Sequence, residues 1–133
     1  MRKILVVDDT YSELIKEIFL DDMGFNKKNG YEVDLCLDGF TAPNLVRNND
    51  YFFILMDGHL GDMSGPDAVL EIRKFNRNVP IIMISDDKTM NDLGMKMGAD
   101  GVMKKGSLAD DANYLGGETF KELLNTIGVK LDK

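Results

Sequence analysis

The chain has 133 residues, enough for one domain with a packed core and no metal or disulfide staple. Its 16 Lys and Arg against 23 Asp and Glu leave a formal net charge of −7, which argues against direct nucleic-acid binding and against anionic membrane surfaces. The single cysteine, Cys36, excludes an internal disulfide framework and a cysteine-based zinc site, and the longest apolar run, Tyr51–Met56, is six residues and cannot span a bilayer.

Ile4–Val7 is too short for a signal-peptide core, so the default location is cytoplasmic. No repeat, low-complexity tract or linker interrupts the chain, and 1–133 reads as a single domain. Lys3–Val7 is a short β-branched run stopped by Asp8-Asp9, the pattern of a buried strand. From Thr10 the period changes: Leu14, Ile15, Ile18 and Phe19 fall on one helical face, with Gly24 as the stop. Tyr31–Leu35 is the second strand. Thr41–Arg47 is a short helix with Pro43 in its first turn. Phe52–Met56 is the third strand and the most apolar. Ser64-Gly65-Pro66 opens a helix to about Asn76. Val79–Ile84 is the fourth strand, with Pro80 near its start. Asp87–Met97 is a weaker helix containing Gly94, and Gly101–Met103 is a brief fifth strand. Phe120, Leu123, Leu124 and Ile127 then mark a closing helix ended by Gly128. Alternation of this kind predicts an α/β fold: a doubly wound, five-stranded parallel sheet of flavodoxin-like order 2-1-3-4-5 with five helices.

In such sheets ligands bind at the carboxyl ends of the strands. Strand 1 ends at Asp8-Asp9, strand 3 at Asp57, strand 4 at Ser85-Asp86-Asp87 and strand 5 at Lys104-Lys105. Strands 1 and 3 are predicted neighbours, so Asp8, Asp9 and Asp57 converge. Three carboxylates in one cleft repel one another and call for a cation. An all-oxygen donor set favours Mg²⁺, with Mn²⁺ as the other candidate. A hydroxyl at Ser85 and an ammonium at Lys105 complete a space suited to a phosphoryl group. Singly, each residue has an ordinary use: Asp and Ser cap helices, Lys is solvated, and His59 sits in turns. Five such residues at four successive strand ends carry the argument together.

KILVVDDT, FFILMDGHLGDMSG, PIIMISDD and GADGVMKKG resemble the response-regulator receiver family, the CheY-like fold, from Lys3 to the last helix. The resemblance implies that Asp57 is the phosphoacceptor for a histidine kinase or phosphotransfer protein in a phosphorelay. It implies that Asp9, Asp57 and the backbone carbonyl of His59 bind Mg²⁺, with Asp8 acting through water. Ser85 matches the Ser/Thr that turns toward the phosphoryl group, and Lys105 matches the family's lysine. His59 and Asp87 occupy positions that flank the path of the attacking water, which marks them as tuners of phosphate lifetime.

The chain also departs from the family. Val102 stands at the aromatic switch position, so coupling is expected through Ser85, the following loop and the helix Asp87–Met97. Gly61 replaces a proline near the phosphosite. Gly106 replaces the proline after the lysine, which predicts a trans Lys105–Gly106 bond and, because glycine admits positive φ, a different turn. Phe25–Tyr31 and Ser107–Gly117 are long for the family, and the second is read as chain taking a new route after that turn. No output segment is recognisable, so a stand-alone or excised receiver is expected, with a separate protein target. Two other functions fit the residues less well: an unphosphorylated receiver-like interaction module, and a metal-dependent phosphohydrolase using the aspartate after strand 1.

Overall fold

A computed structural model describes residues 1–131. Arg2–Val7 (β1) lies in the middle of one parallel sheet, between Tyr31–Cys36 (β2) and Tyr51–Asp57 (β3). Ile81–Ile84 (β4) pairs with β3, and Gly101–Met103 (β5) pairs with β4. The order is therefore 2-1-3-4-5, as the alternation predicts. Strand 4 starts at Ile81, later than the apolar run, because Pro80 has no N–H to donate. The Ile81 N–H instead opens the strand by donating to the Asp100 carboxylate at 2.9 Å. Edge strand β2 ends at Cys36, buried, with its Sγ 3.1 Å from the Asp38 carbonyl.

Side chains alternate across the sheet. Ile4, Val6, Phe53, Leu55, Ile82 and Ile84 point into one core. Leu5, Val7, Ile54, Met56, Ile81 and Met83 point into the other. The helices Thr41–Asn48 (α2), Gly65–Arg73 (α3) and Lys88–Met97 (α4) lie on the second face. Gly94 of α4 sits against Met83, where an added Cβ would come 2.3 Å from Met83 Cγ. That glycine serves close packing.

The first core holds two departures from the sequence reading. The first helix, α1, spans residues 12–20, with one α-helical turn (Ser12–Leu14) followed by a π-helical stretch (Ile15–Leu20). The wider winding brings Ile15 and Leu20 to the same face. Both are buried, while Leu14 and Ile18, predicted to face the core, are exposed. Ser107–Gly117 is not rerouted loop: Lys105–Leu115 forms a helix (α5), and a second helix, Glu118–Thr126 (α6), follows. Six helices flank the sheet among the described residues, one more than predicted. Leu108 and Ala112 anchor α5, and Phe120 and Leu124 anchor α6. The Asp111 carboxylate, 2% exposed, accepts the Thr119 N–H at 2.9 Å and the Phe120 N–H at 2.7 Å, which fixes the corner between the two helices. The long stretch before β2 contains a 3₁₀ turn, Lys27–Asn29, and delivers Phe25 edge-on to Phe53 and Phe120 at 5.5 and 6.1 Å. Among the described residues no helix is long and apolar enough to cross a membrane.

Candidate functional site

At the carboxyl edge of the sheet, β1 releases Asp8 and Asp9 and β3 ends on Asp57. One carboxylate oxygen of each lies within 4.8 Å of those of the other two. Asp8 is fully buried. Its Oδ1 accepts the Thr10 and Tyr11 N–H groups at 2.9 and 2.8 Å, so the residue also fixes the turn that leads into α1. Asp8 Oδ2 is buried, lies 2.7 Å from Lys105 Nζ, and receives no hydrogen bond of good geometry. This oxygen keeps unused acceptor capacity, which suits a water in a cation's shell. Asp9 is exposed; Thr10 Oγ1 donates to its Oδ1 at 3.1 Å and the Gly61 N–H donates to its Oδ2 at 3.1 Å. A proline at 61 would have no N–H for that bond. The set is hard, anionic and part-open, and it fits a divalent cation such as Mg²⁺.

Asp57 is 5% exposed. Burial first, and the Asp8 charge second, raise its carboxyl above the usual value; Lys105 and the His59 N–H oppose them. Lys105 Nζ stands 3.1 Å from Asp57 Oδ1. Burial acts to lower the Lys105 ammonium, but its close ion pairs with Asp8 and Asp57 outweigh burial and hold it above its ordinary value. The ammonium also lies 5.0 Å from the centre of the Tyr11 ring. Lys105 reaches the pocket, whereas Lys104 is exposed and only occupies the position before α5. The Lys105–Gly106 bond is trans, as the sequence predicts. Gly106 does not use positive φ; it lies within the first turn of α5.

The turn after Asp57 depends on two glycines. A Cβ on Gly58 would lie 2.6 Å from Met90 Cβ and 3.0 Å from Ser85 Oγ, so its absence leaves room for α4 and for the hydroxyl. A Cβ on Gly65 would lie 1.9 Å from the Asp57 carbonyl oxygen, so α3 starts directly against the end of β3. Between them His59–Leu60 and Met63–Ser64 form a small antiparallel ribbon. Ser85 is 3% exposed; its Oγ accepts the Asp87 N–H at 3.1 Å and its carbonyl accepts Asn91 Nδ2 at 2.8 Å. His59 Nε2 and Asp87 Oδ2 are 2.8 Å apart, bridging the loop after β3 and the loop after β4 over an exposed mouth. That hydrogen bond, foremost, holds the Asp87 carboxyl below its usual range. Val102 is 39% exposed and lines a cavity of about 550 Å³ between α4, β5 and α6.

The structure thus brings Asp8, Asp9, Asp57 and Lys105 together, sets Ser85 beside the turn after Asp57, and leaves Val102 on a separate surface. Sequence reasoning assigned no role to Asp86, Asn91, Gly58, Gly65 or Tyr11. Asp86 follows Ser85, and its Oδ1 accepts the Gly106 N–H at 3.1 Å. The signal for it is Gly106 itself, a residue with an N–H where the family has proline.

A family model described as the response regulator receiver domain matches residues 4–112. Among solved structures, the chain is similar to the receiver domain of a sensor histidine kinase from Pseudomonas aeruginosa PAO1, which has a magnesium ion coordinated in its active-site cleft. The two are 27% identical with a TM-score of 0.72, covering 96% of this chain and 98% of that one. A Francisella response-regulator receiver domain is 28% identical with a TM-score of 0.64, over 90% of this chain and 99% of that one. The response regulator TrrA from Thermotoga maritima, solved with Mg²⁺-BeF, shares the fold at 24% identity and a TM-score of 0.71, over 96% and 99% of the two chains.

Proposed function

The chain belongs to the response-regulator receiver family, and on that premise we propose that it is a phosphorylation switch whose acceptor is Asp57. The convergence of Asp8, Asp9 and Asp57 within 4.8 Å, with Lys105 Nζ 3.1 Å from Asp57, carries the reading. Asp9, Asp57 and the His59 backbone carbonyl would hold Mg²⁺, with Asp8 reaching it through water. When bound, the ion supplies neutralisation of carboxylate and phosphoryl charge. An Asp57 carboxylate oxygen attacks phosphorus of a phosphohistidine on a histidine kinase or phosphotransfer protein. The P–O bond forms as the P–N bond breaks, and the imidazole leaves. Lys105 pairs with a phosphoryl oxygen and Ser85 donates to another. Water later hydrolyses the aspartyl phosphate on the same chain, so the activity is self-directed and the role is signalling to a separate protein. Asp8 is buried with Oδ1 held by two backbone N–H groups, which suits a metal-shell residue better than a nucleophile.

His59 and Asp87 tune the lifetime of that phosphate, because their bridge spans the route of water to Asp57. Coupling to the target surface runs through Ser85, its loop and α4, since Val102 has no large ring to swing. The test is uptake of label from acetyl phosphate with Mg²⁺. Asp57→Asn is expected to take up none, and uptake at the wild-type rate would overturn the assignment. For the tuning pair, equal dephosphorylation rates in wild type and a His59→Ala/Asp87→Ala double variant would remove them from the scheme.

A further inference from the structure

We infer that Asp86 is the positioning residue for Lys105, and that it works through the backbone N–H of Gly106. The inference rests on the phosphoacceptor reading for its kinetic test, and on geometry alone for its spectroscopic one.

Lys105 is the first residue of α5, so the aim of its side chain depends on how that first turn is held. The opening N–H groups of a helix have no partner within it. Lys104, at the cap position, provides no side-chain bond to them. Asp86 does so from another element: its Oδ1 accepts the Gly106 N–H at 3.1 Å. A carboxylate is also well placed there with respect to the helix dipole.

The loop that carries Asp86 is itself fixed. Ser85 Oγ accepts the Asp87 N–H at 3.1 Å, Asn91 Nδ2 donates to the Ser85 carbonyl at 2.8 Å in a buried contact, and Asp87 Oδ1 accepts the Thr89 N–H at 2.9 Å. Lys105 is therefore clamped from two directions. Asp8 and Asp57 hold its ammonium at 2.7 and 3.1 Å, and Asp86 holds the peptide that follows it.

Gly106 needs neither a positive φ nor empty space. It lies outside the positive-φ glycines, and an added Cβ would meet nothing closer than Asp86 Oδ1 at 3.8 Å. What the position supplies is an N–H. Proline would fix φ but remove the donor. In this chain a side chain from the loop after β4 takes over the aiming of the lysine.

Asp86→Ala, Asp86→Asn and Gly106→Pro are compared with wild type in the full chain. In metal-free protein, amide spectra should show the Gly106 proton moving upfield and losing exchange protection in Asp86→Ala, with the Lys105 side-chain signals shifted. In phosphorylation by acetyl phosphate with Mg²⁺, the rate at saturating donor should fall about fivefold in Asp86→Ala, the population change that loss of one helix cap produces. Gly106→Pro should fall similarly. Asp86→Asn, which keeps an acceptor, should recover most of the rate. In a Lys105→Met background the further change Asp86→Ala should have no effect, because its action passes through the lysine.

A wild-type rate in Asp86→Ala, or an equal loss in the Lys105→Met background, overturns the inference. So does an unmoved Gly106 amide. Wild-type protein that takes no phosphate would overturn the functional reading instead, and the metal-free spectra would then decide the positioning role alone.

Discussion

Replacing Gly65 with alanine tests how closely α3 abuts the phosphoacceptor strand. At an ordinary helix position this change stabilises by about 0.5–1 kcal/mol. Here the new Cβ would lie 1.9 Å from the Asp57 carbonyl oxygen, 2.9 Å from the Asp57 carbonyl carbon and 3.1 Å from Gly58 Cα. All three are backbone atoms, so no side chain can turn away. An ordinary carbon–oxygen contact is about 3.3 Å, so the start of α3 must retreat by about 1.4 Å. That strains the 2.9 Å bond from the Gly65 N–H to the Gly58 carbonyl. Overpacking of about 1–3 kcal/mol and a weakened hydrogen bond of about 1 kcal/mol outweigh the helix gain, leaving a net loss of roughly 2 kcal/mol. In a domain of this size that lowers Tm by roughly 8 °C. Urea and thermal unfolding followed by circular dichroism measure it. Two other glycines calibrate the scale. Gly94→Ala meets the Met83 side chain at 2.3 Å and should cost less, because a thioether chain can repack. Gly106→Ala meets only Asp86 Oδ1 at 3.8 Å and should be neutral or stabilising. A Gly65→Ala protein as stable as Gly106→Ala would refute the close approach at the Asp57 carbonyl.

Asp111→Ala should destabilise by about 2–3 kcal/mol, since it strips the cap of α6 and leaves the Thr119 and Phe120 N–H groups unpaired; urea unfolding checks it, and a negligible change would show that the corner holds without the carboxylate. Arg73 donates to the carbonyls of Gly98, Asn76 and Val79 and to Asp100 at 2.8–3.1 Å. Arg73→Lys cannot reproduce that fork and should cost about 1–3 kcal/mol, read by the same assay; an unfolding midpoint equal to wild type would count against the clamp. The Asp57 carboxyl is raised above its usual 3.8, by burial first and the Asp8 charge second. The native state therefore holds that proton more tightly than the unfolded chain, and the associated stability is present at low pH and lost as pH rises through the folded value. Asp57→Asn removes the loss, so in chelator its stability advantage over wild type should grow above about pH 4 and then level off; a difference that stays constant with pH contradicts the burial argument.

The sheet was legible because its central strands β1, β3 and β4 are buried on both faces and read as unbroken apolar runs between polar stops. The strand-end carboxylates followed from the sheet order, since that order makes β1 and β3 neighbours. Two features were hidden for physical reasons. In α1 the expected face, Leu14, Ile15, Ile18 and Phe19, follows the α period; Ile15 is buried and Phe19 packs against the core, but the π winding turns Leu14 and Ile18 outward and brings Leu20 in beside Ile15. In α5, Gly106, Asp110, Asp111 and Asn113 are poor helix formers, so local pattern argues for loop. The helix exists through distant partners: Asp86 at its start, Leu108 and Ala112 in the core, and Asp111 tied to the next helix. Tertiary bonds of this kind leave no periodic trace in a single sequence.

Cys36 ends the edge strand with its thiol buried, and burial foremost pushes that thiol above its usual pKa. Only thiolate reacts with disulfide reagents, so in the closed protein the side chain is both shielded and protonated. Its modification must wait for the end of β2 and the turn after it to open locally. Because the chain has no other cysteine, the rate of thiol labelling under native conditions reads the opening equilibrium of that strand end. β2 lies beside β1, which leads into Asp8 and Asp9. The same unaltered chain can therefore report whether filling the acidic pocket slows the breathing of the neighbouring sheet edge, a motion on the timescale of local unfolding.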